Sequence, residues 1–149
     1  MQCFDKDSLY YSFVDVEKVH YKRIHMLLEE IGLYPGQPHL LLALQLEEGQ
    51  SQKELADKMK IKPATITVMI KRMEKEGLVG RIQDTEDQRI SRVYLTEKGK
   101  DKCKEVYRIT EILEGECFKG FTTEEQILLR RLFINMKDNL IESIKNSSK

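Results

Sequence analysis

Residues 51–75 have the sequence SQKELADKMKIKPATITVMIKRMEK, and this stretch decides the fold. Ser51 and Glu54 have the spacing of a capping box, in which each side chain accepts a hydrogen bond from a backbone N–H group at the start of a helix. Pro63 suits the first position of a second helix, where its missing N–H group costs nothing. We therefore predict two helices separated by a short turn at 60–62, which is a helix-turn-helix.

The second helix of this pair, the recognition helix, is predicted to be amphipathic. Ile66, Ile70 and Met73 recur at helical spacing, which is typical of a face directed into a hydrophobic core. A helix whose opposite face only meets water has the same stripe, but in a helix-turn-helix the second helix enters the major groove of DNA. The opposite face here has small, hydroxyl-bearing and basic side chains. We predict that it contacts DNA through Ala64, Thr65, Thr67, Val68, Lys71 and Arg72.

A predicted β-hairpin follows the recognition helix. Residues 78–82 and 91–95 are rich in β-forming side chains, and each has the length of a short strand. The polar loop at 83–90 is longer than the ~2–5 residues typical of a hairpin, which indicates that its tip has a function. Two helices followed by such a hairpin, or wing, form a winged helix-turn-helix.

Long helices are predicted on both sides of this lobe. The fold class is therefore mainly α with a small β-hairpin wing, and we expect a single domain over residues 1–149. We assign residues 35–96 to the winged helix-turn-helix lobe. Residues 8–31 and 97–145 are assigned to a helical dimerisation region.

The C-terminal helix carries more apolar surface than a small lobe can cover. Exposed apolar patches of this kind mark interfaces. A two-fold dimer would set two recognition helices about 34 Å apart, which matches an inverted repeat in DNA. Packing within the chain is the alternative use of these side chains, which are Leu128, Leu129, Leu132, Phe133, Met136, Leu140 and Ile144.

The charge of the chain is unevenly distributed. Its 25 basic and 25 acidic side chains give a formal net charge of zero, which by itself argues against nucleic acid as a partner. Residues 1–50 carry a net charge of −4, residues 51–100 carry +4 and residues 101–149 carry zero. The positive segment contains the recognition helix and the wing, as a phosphate-facing surface requires.

Composition and motifs argue against several classes of protein. With 40% hydrophobic and 34% charged residues, the chain is typical of a globular protein, and it has no apolar run of the ~18 residues that a membrane span needs. It has no glycine-rich phosphate loop and no grouping of nucleophile and base typical of an enzyme. We therefore expect a non-catalytic protein in a reducing cytoplasm, where unpaired cysteines are ordinary.

Three motifs give the chain a resemblance to a known family. SQKELA at 51–56, KRMEKEGLV at 71–79, and the wing pattern Asp87-x-Arg89 followed by LTEKG at 95–99 resemble the MarR family of bacterial transcription regulators. The resemblance in layout extends over nearly the whole chain. It implies a homodimer that binds double-stranded operator DNA, by default as a repressor, and that responds to a small molecule.

The resemblance implies a specific role for the tip of the wing. Arg89 would enter the minor groove, and Asp87 would hold its guanidinium group in position. A narrow minor groove concentrates negative potential and attracts Arg, so this contact depends on groove shape. An idle surface ion pair is the alternative for these two residues. Arg81 and Arg92, on the strands of the wing, are further candidates for phosphate contacts.

The recognition helix departs from the family pattern at two positions. Val68 stands where members often carry a basic or polar residue, and Ala64 stands where Ser is frequent. Both residues bear on which bases the protein prefers, whereas the DNA-binding mode does not depend on them.

A small-molecule effector is a further implication of the resemblance. Many MarR-like proteins bind aromatic or anionic molecules where the dimerisation helices meet the DNA-binding lobe. No pattern in this sequence singles out the site, and the candidates are His20, Tyr21, His25, Tyr34 and His39. Because His20 and His25 lie five residues apart, off the i, i+4 spacing of one helix face, we expect no metal and no cofactor.

Two alternatives stay open beside the effector-responsive regulator. One is a thiol-based redox-sensing regulator that uses Cys3, although this residue precedes the first helix in an acidic segment that would not lower its pKa. Cys103 and Cys117 are predicted to be packing residues. The other alternative is a winged-helix protein-interaction module, which would need neither an Arg at the wing tip nor a basic recognition face.

Overall fold

The computed structural model describes residues 5–147 and, over that range, consists of six helices and three short strands. In chain order they are α1 (Leu9–Glu30), α2 (Gln37–Leu46), β1 (Gln50–Ser51), α3 (Gln52–Met59), α4 (Pro63–Lys75), β2 (Val79–Gln83), β3 (Ser91–Leu95), α5 (Glu97–Cys117) and α6 (Thr123–Ser147). This architecture confirms the predicted fold class, mainly α with a small β-hairpin wing. None of the helices over the described range is long and apolar enough to cross a membrane.

Both helices of the helix-turn-helix begin at the positions that the sequence predicts. Ser51 Oγ accepts the N–H group of Glu54 at 3.2 Å, and the Glu54 carboxylate accepts the N–H group of Ser51 at 2.7 Å, which completes the capping box. Pro63 is the first residue of α4. Between the two helices, Lys60 adopts a left-handed conformation with φ of 53°. These residues therefore define where α3 begins, where the chain turns and where α4 begins.

A three-stranded antiparallel sheet forms the wing and its base, in the order β1–β3–β2. β2 and β3 pair along their whole length, as predicted for the hairpin, although β2 begins one residue later than predicted. β1 was not predicted; it pairs Gln50 with Val93 and Ser51 with Arg92. Two residues directly before a helix carry no alternating pattern, so the sequence gives no signal for this strand.

The core of the lobe lies between α2, α3, α4 and β3. Leu40 and Leu44 of α2 are fully buried. Ile66, Ile70 and Met73 of α4 are at most 1% exposed, which confirms the predicted inward stripe. Since burial of each such side chain is worth roughly 1.5–3 kcal/mol, the stripe fixes the rotation of α4 about its own axis. That rotation determines which residues face outward.

Gly99 lies where α5 comes close to the residue that precedes β2. A Cβ atom on Gly99 would overlap the carbonyl oxygen of Leu78, an overlap that only glycine avoids. Thr96 caps the same helix: its Oγ1 accepts the N–H group of Gly99 at 3.0 Å and donates to the carbonyl oxygen of Gly77 at 2.6 Å. The start of α5 is thus held against the backbone between α4 and the wing.

The chain divides into two compact units, with the boundary between Glu111 and Ile112 inside α5. The first unit contains α1 to α4, the sheet and most of α5. The second contains the end of α5 and α6, and there the rings of Phe118 and Phe121 pack edge to face with centroids 5.9 Å apart. Within Thr123–Ser147 no side chain is buried.

Candidate nucleic-acid interface

The outer face of α4 consists of residues predicted to contact DNA. Ala64, Thr65, Lys71 and Arg72 are exposed, and Val68 has 68% of its surface exposed. This face is opposite the buried stripe of the same helix, as the helical period of about 100° per residue requires. The outward side chains of the first two turns of α4 are small or apolar, and the basic side chains begin in the third turn.

Thr67 lies at the edge of this face and is half-buried. Its hydroxyl oxygen lies within hydrogen-bonding distance of two acceptors that share its single proton, Gln52 Oε1 at 3.0 Å and the carbonyl oxygen of Pro63 at 2.9 Å. Gln52 is the first residue of α3, so this hydroxyl group joins the first turns of the two helices. The predicted DNA contact of Thr67 therefore comes from a side chain that also holds the helix-turn-helix together.

Arg72 is held by Tyr34, which precedes α2, and by Glu76 at the C-terminal end of its own helix. Its guanidinium group lies over the ring of Tyr34, 3.3 Å from the ring centroid, and its Nε donates to Glu76 Oε1 at 3.1 Å. The other oxygen of Glu76 accepts a hydrogen bond from Gln37 Nε2 at 3.1 Å, and Gln37 Oε1 accepts the N–H group of Tyr34 at 2.8 Å. Because Gln37 is only 2% exposed, this network fixes the end of α4 against the start of α2. No sequence pattern pointed to it.

An open pocket of about 460 Å³ lies beside the outer face of α4. Tyr34 and Pro35 line one side of it. Ala64, Val68 and Met69 line the other, and the pocket is largely apolar. It therefore continues the apolar first turns of the recognition helix into a concave surface.

Asp84 organises the loop of the wing. Its Oδ1 accepts the N–H groups of Glu86 at 2.8 Å and Asp87 at 3.0 Å, and Arg92 donates to its other oxygen. The N–H groups and the guanidinium group stabilise the ionised carboxyl, with the N–H group of Asp87 contributing most, and lower its pKa to about 2. Asp84 is not among the residues predicted from the sequence, although an Asp at the start of a turn often accepts hydrogen bonds from backbone N–H groups of the turn.

Arg92 connects the wing to the helix-turn-helix. It donates to Asp84 on the wing and, through Nη1 at 2.9 Å, to the carbonyl oxygen of Gly49 beside β1. The same nitrogen lies 3.7 Å from the Glu54 carboxylate of the capping box. Its guanidinium pKa is raised, mainly by the hydrogen bond to Asp84. Arg92, predicted as a phosphate contact, is thus engaged at the base of the wing.

Arg89 occupies the tip of the wing and has 91% of its side chain exposed. Its Nε and Nη2 donate to the two carboxylate oxygens of Asp87 at 3.1 and 3.3 Å, and its N–H group donates to the same carboxylate at 3.0 Å. The Arg89 side chain is the main cause of the lowered pKa of Asp87. The pair therefore holds an exposed guanidinium group at the tip, in the arrangement that the resemblance implies.

Arg81 of β2 forms a bidentate pair with Glu74 of α4. Its Nη2 lies 2.6 Å and its Nε 3.2 Å from the two carboxylate oxygens. A surface pair contributes little to stability, but this one joins the wing to the recognition helix. Arg72, Arg81 and Arg92 thus have carboxylate partners within the lobe.

Comparison with known proteins decides which family carries this geometry. A family model described as MarR family matches residues 33–91. The chain is 32% identical over 112 residues to the uncharacterised HTH-type transcriptional regulator YwoH of Bacillus subtilis. The matched residues cover 75% of this chain and 81% of YwoH. The chain belongs to the MarR family. It is a DNA-binding transcription regulator.

Two further comparisons agree with this assignment. The HTH-type transcriptional repressor MdtR of B. subtilis is 31% identical over 101 residues, which span 68% of this chain and 64% of MdtR. A crystal structure of MarR is 25% identical and superposes with a TM-score of 0.74, covering 95% of this chain and 97% of that one. Relatives and fold are those of transcription regulators and not of enzymes.

In this MarR-family chain, the predicted effector residues lie at separate places. The rings of Tyr21 and His25 on α1 are in contact, with centroids 4.1 Å apart and planes tilted by 46°, while His20 and His39 are exposed on α1 and α2. Tyr34 alone among the five lines the pocket beside α4. Over residues 5–147 no three His, Cys, Asp or Glu side chains group in a way that could hold a metal ion.

The cysteines differ in their surroundings. Cys103 is fully buried, and its Sγ lies 3.7 Å from the carbonyl oxygen of Leu41. Burial raises the pKa of its thiol, so it packs as predicted and is a poor nucleophile. Cys117 was predicted to pack as well, and this is wrong: it is exposed at the last residue of α5, where the helix ends. Cys3 lies outside the described residues.

Proposed function

We propose that this MarR-family protein is a homodimeric repressor that binds an inverted-repeat operator and is released from it by a small molecule. The observation that carries the DNA-binding part of the proposal is the exposed guanidinium group of Arg89, held by Asp87 at the wing tip. An Arg in that position can enter a minor groove while α4 lies in the adjacent major groove.

The distribution of charge along the chain supports DNA binding by α4 and the wing. Residues 51–100 have a net charge of +4, and Lys71 lies exposed on the outer face of α4. Phosphate contacts by such side chains release counterions, so the affinity of the complex should fall steeply as salt rises. The acidic first third of the chain, with a net charge of −4, disfavours binding of DNA elsewhere on the surface.

Exposed apolar side chains support a homodimer through the helices assigned to the dimerisation region. On α6, Leu132 is 47% and Ile144 is 66% exposed, and on α1 Val16 and Val19 are more than 60% exposed. Exposed apolar surface of this extent on a helix is typical of an interface, and a second copy of the chain would cover it on α1 and on α6. Such a dimer presents two recognition helices to two half-sites.

The pocket beside α4 supports a small-molecule effector. The apolar lining, with Pro35, Val68 and the edge of the Tyr34 ring, suits an aromatic molecule, and the pocket lies beside the outer face of α4 that is proposed to meet DNA. A molecule bound there would compete directly with DNA, since it binds only the DNA-free state. Titration of the complex with benzoate-type compounds tests this, and Tyr34→Ala should weaken their effect.

Measurements of binding to a single DNA duplex test the DNA-binding proposal. We call it the selected duplex, and it is obtained by letting the protein select its preferred sequence from a pool of random duplexes. Arg89→Ala should weaken binding by about tenfold or more, and Lys71→Ala should weaken it while reducing the salt slope by about one. Lys104→Ala, which removes an exposed cation of α5, is the matched control and should bind like wild type.

Two results would overturn the proposal. The first is a selection that enriches no sequence and shows no salt-sensitive binding. The second is an Arg89→Ala variant that binds the selected duplex as tightly as wild type, which would remove the role of the wing tip even if the helix binds.

A further inference from the structure

The first two turns of α4 carry methyl groups and few free polar groups. Ala64 and Thr65 are exposed, and Val68, one turn further on, is 68% exposed. The basic side chains of the outer face begin only at Lys71. In a helix-turn-helix the N-terminal residues of the recognition helix reach the base edges, so these methyl groups occupy the base-reading positions.

The neighbouring polar side chains are already engaged. The Thr67 hydroxyl group donates towards Gln52 and Pro63, and the Arg72 guanidinium group lies on Tyr34 and pairs with Glu76. Hydrogen-bonded readout of a base by either side chain would require breaking these contacts, and an unpaired partner inside the interface is costly. Apart from the exposed Thr65, the outer surface of the first two turns is therefore apolar, and Val68 and Ala64 supply most of it.

Only one base edge in the major groove suits an apolar side chain. Thymine carries a methyl group on C5, whereas the other edges offer hydrogen-bond donors and acceptors. The apolar surface also continues from Val68 into the pocket lined by Met69 and Pro35. A thymine methyl group that reaches this surface is therefore shielded from water on several sides.

Building on the proposed function, we propose that Val68 is a specificity-determining residue that recognises thymine through its C5 methyl group, with Ala64 beside it. The half-site then has a fixed thymine opposite the first turns of α4. Phosphate contacts from Lys71 hold the helix in the groove but do not distinguish bases.

Replacing thymidine by deoxyuridine tests this inference, because the two nucleosides differ only by the C5 methyl group. The selected duplex is prepared with deoxyuridine at one thymine position at a time, and affinities are measured by fluorescence anisotropy. At one position of each half-site, the wild type should lose about fourfold in affinity, the value expected for one buried methyl group. Val68→Ala should bind the thymidine and deoxyuridine duplexes equally.

Lys71→Ala is the control on the same helix. It should weaken binding to both duplexes by the same factor and so keep the fourfold ratio, because it removes a phosphate contact. Val68→Ala is not expected to unfold the protein, since Val68 is exposed and Ala favours a helix.

The outcomes separate this inference from the proposed function. If the wild type binds tightly and no deoxyuridine position changes its affinity, the thymine inference is wrong and DNA binding stands. If Val68→Ala keeps the full deoxyuridine penalty, another residue recognises the methyl group and the assignment to Val68 fails. A pool that yields no bound duplex overturns the proposed function, and this inference with it.

Discussion

The carboxyl group of Asp84 determines how the wing is held. It accepts two N–H groups of its own loop and the guanidinium group of Arg92, which in turn binds the backbone of Gly49. One ionised side chain therefore shapes the tip of the wing and attaches it to the base of the sheet. Arg89 depends on this arrangement for its position.

The lowered pKa of Asp84 predicts a pH dependence of stability. Because the folded-state pKa is about 2 and the unfolded value is about 3.9, ionised Asp84 stabilises the fold above the unfolded value. This contribution is lost as the pH falls from about 4 to about 2. Asp84→Asn should therefore lower the free energy of unfolding at pH 7, and the difference from wild type should shrink below pH 4.

Urea unfolding at pH 7, 5, 3 and 2 measures this difference. Asp57→Asn, at an exposed position of α3, is the control for loss of one negative charge. A gap between wild type and Asp84→Asn that stays constant down to pH 2 would contradict the assignment.

Single-residue roles were only partly predictable from sequence. Arg89 and Asp87 lie two positions apart, so their pairing follows from local spacing. Arg92 also binds Gly49, which lies 43 positions away, and Arg72 also contacts Tyr34, which lies 38 positions away; no local pattern connects these pairs. Both arginines were therefore predicted to contact DNA without the contacts that hold them within the lobe.

At the scale of elements, α5 provides a test of how the lobe is packed. Gly99→Ala should lower the free energy of unfolding by about 1–3 kcal/mol, because the new Cβ atom overlaps the carbonyl oxygen of Leu78. Gly115→Ala, on the same helix with open space around it, should raise it by up to about 1 kcal/mol. Urea unfolding of the two variants measures both values.

Equal effects of the two substitutions would contradict this description of Gly99. The comparison is informative because both variants replace a glycine of α5 by alanine, and only at Gly99 does the new Cβ atom overlap the carbonyl oxygen of Leu78.

The predictability of an element depended on its length and its caps. The capping box at Ser51 and the proline at 63 marked α3 and α4 because cap chemistry is local. β1 is two residues long and forms only by pairing with β3, which lies about 40 positions later in the chain, so no local signal exists for it. The exposure of Cys117 was likewise missed because it depends on what surrounds the end of α5.

At the scale of the whole molecule, the proposed dimer is the feature most open to test. Leu132→Glu places a charge in the apolar stripe of α6 and should weaken dimerisation by at least about thirtyfold, since an unpaired charge in an interface is costly. Ile134→Glu makes the same chemical change at an exposed position outside the predicted stripe and is the control. Sedimentation of both variants measures the dissociation constant.

Weaker dimerisation should be accompanied by weaker binding to the selected duplex, because a single subunit can contact only one of the two half-sites. Leu132→Glu and Ile134→Glu chains with the same dissociation constant would contradict the assignment of this stripe to the interface.

Hydroxyl-radical footprinting of the selected duplex tests the central claim most directly, because the radical cuts DNA from the minor groove. We predict two protected minor-groove segments, placed symmetrically about the centre of the inverted repeat, which Arg89→Ala abolishes while protection of guanine N7 in the major groove persists. A footprint without these two segments, or one that Arg89→Ala leaves unchanged, would contradict the account.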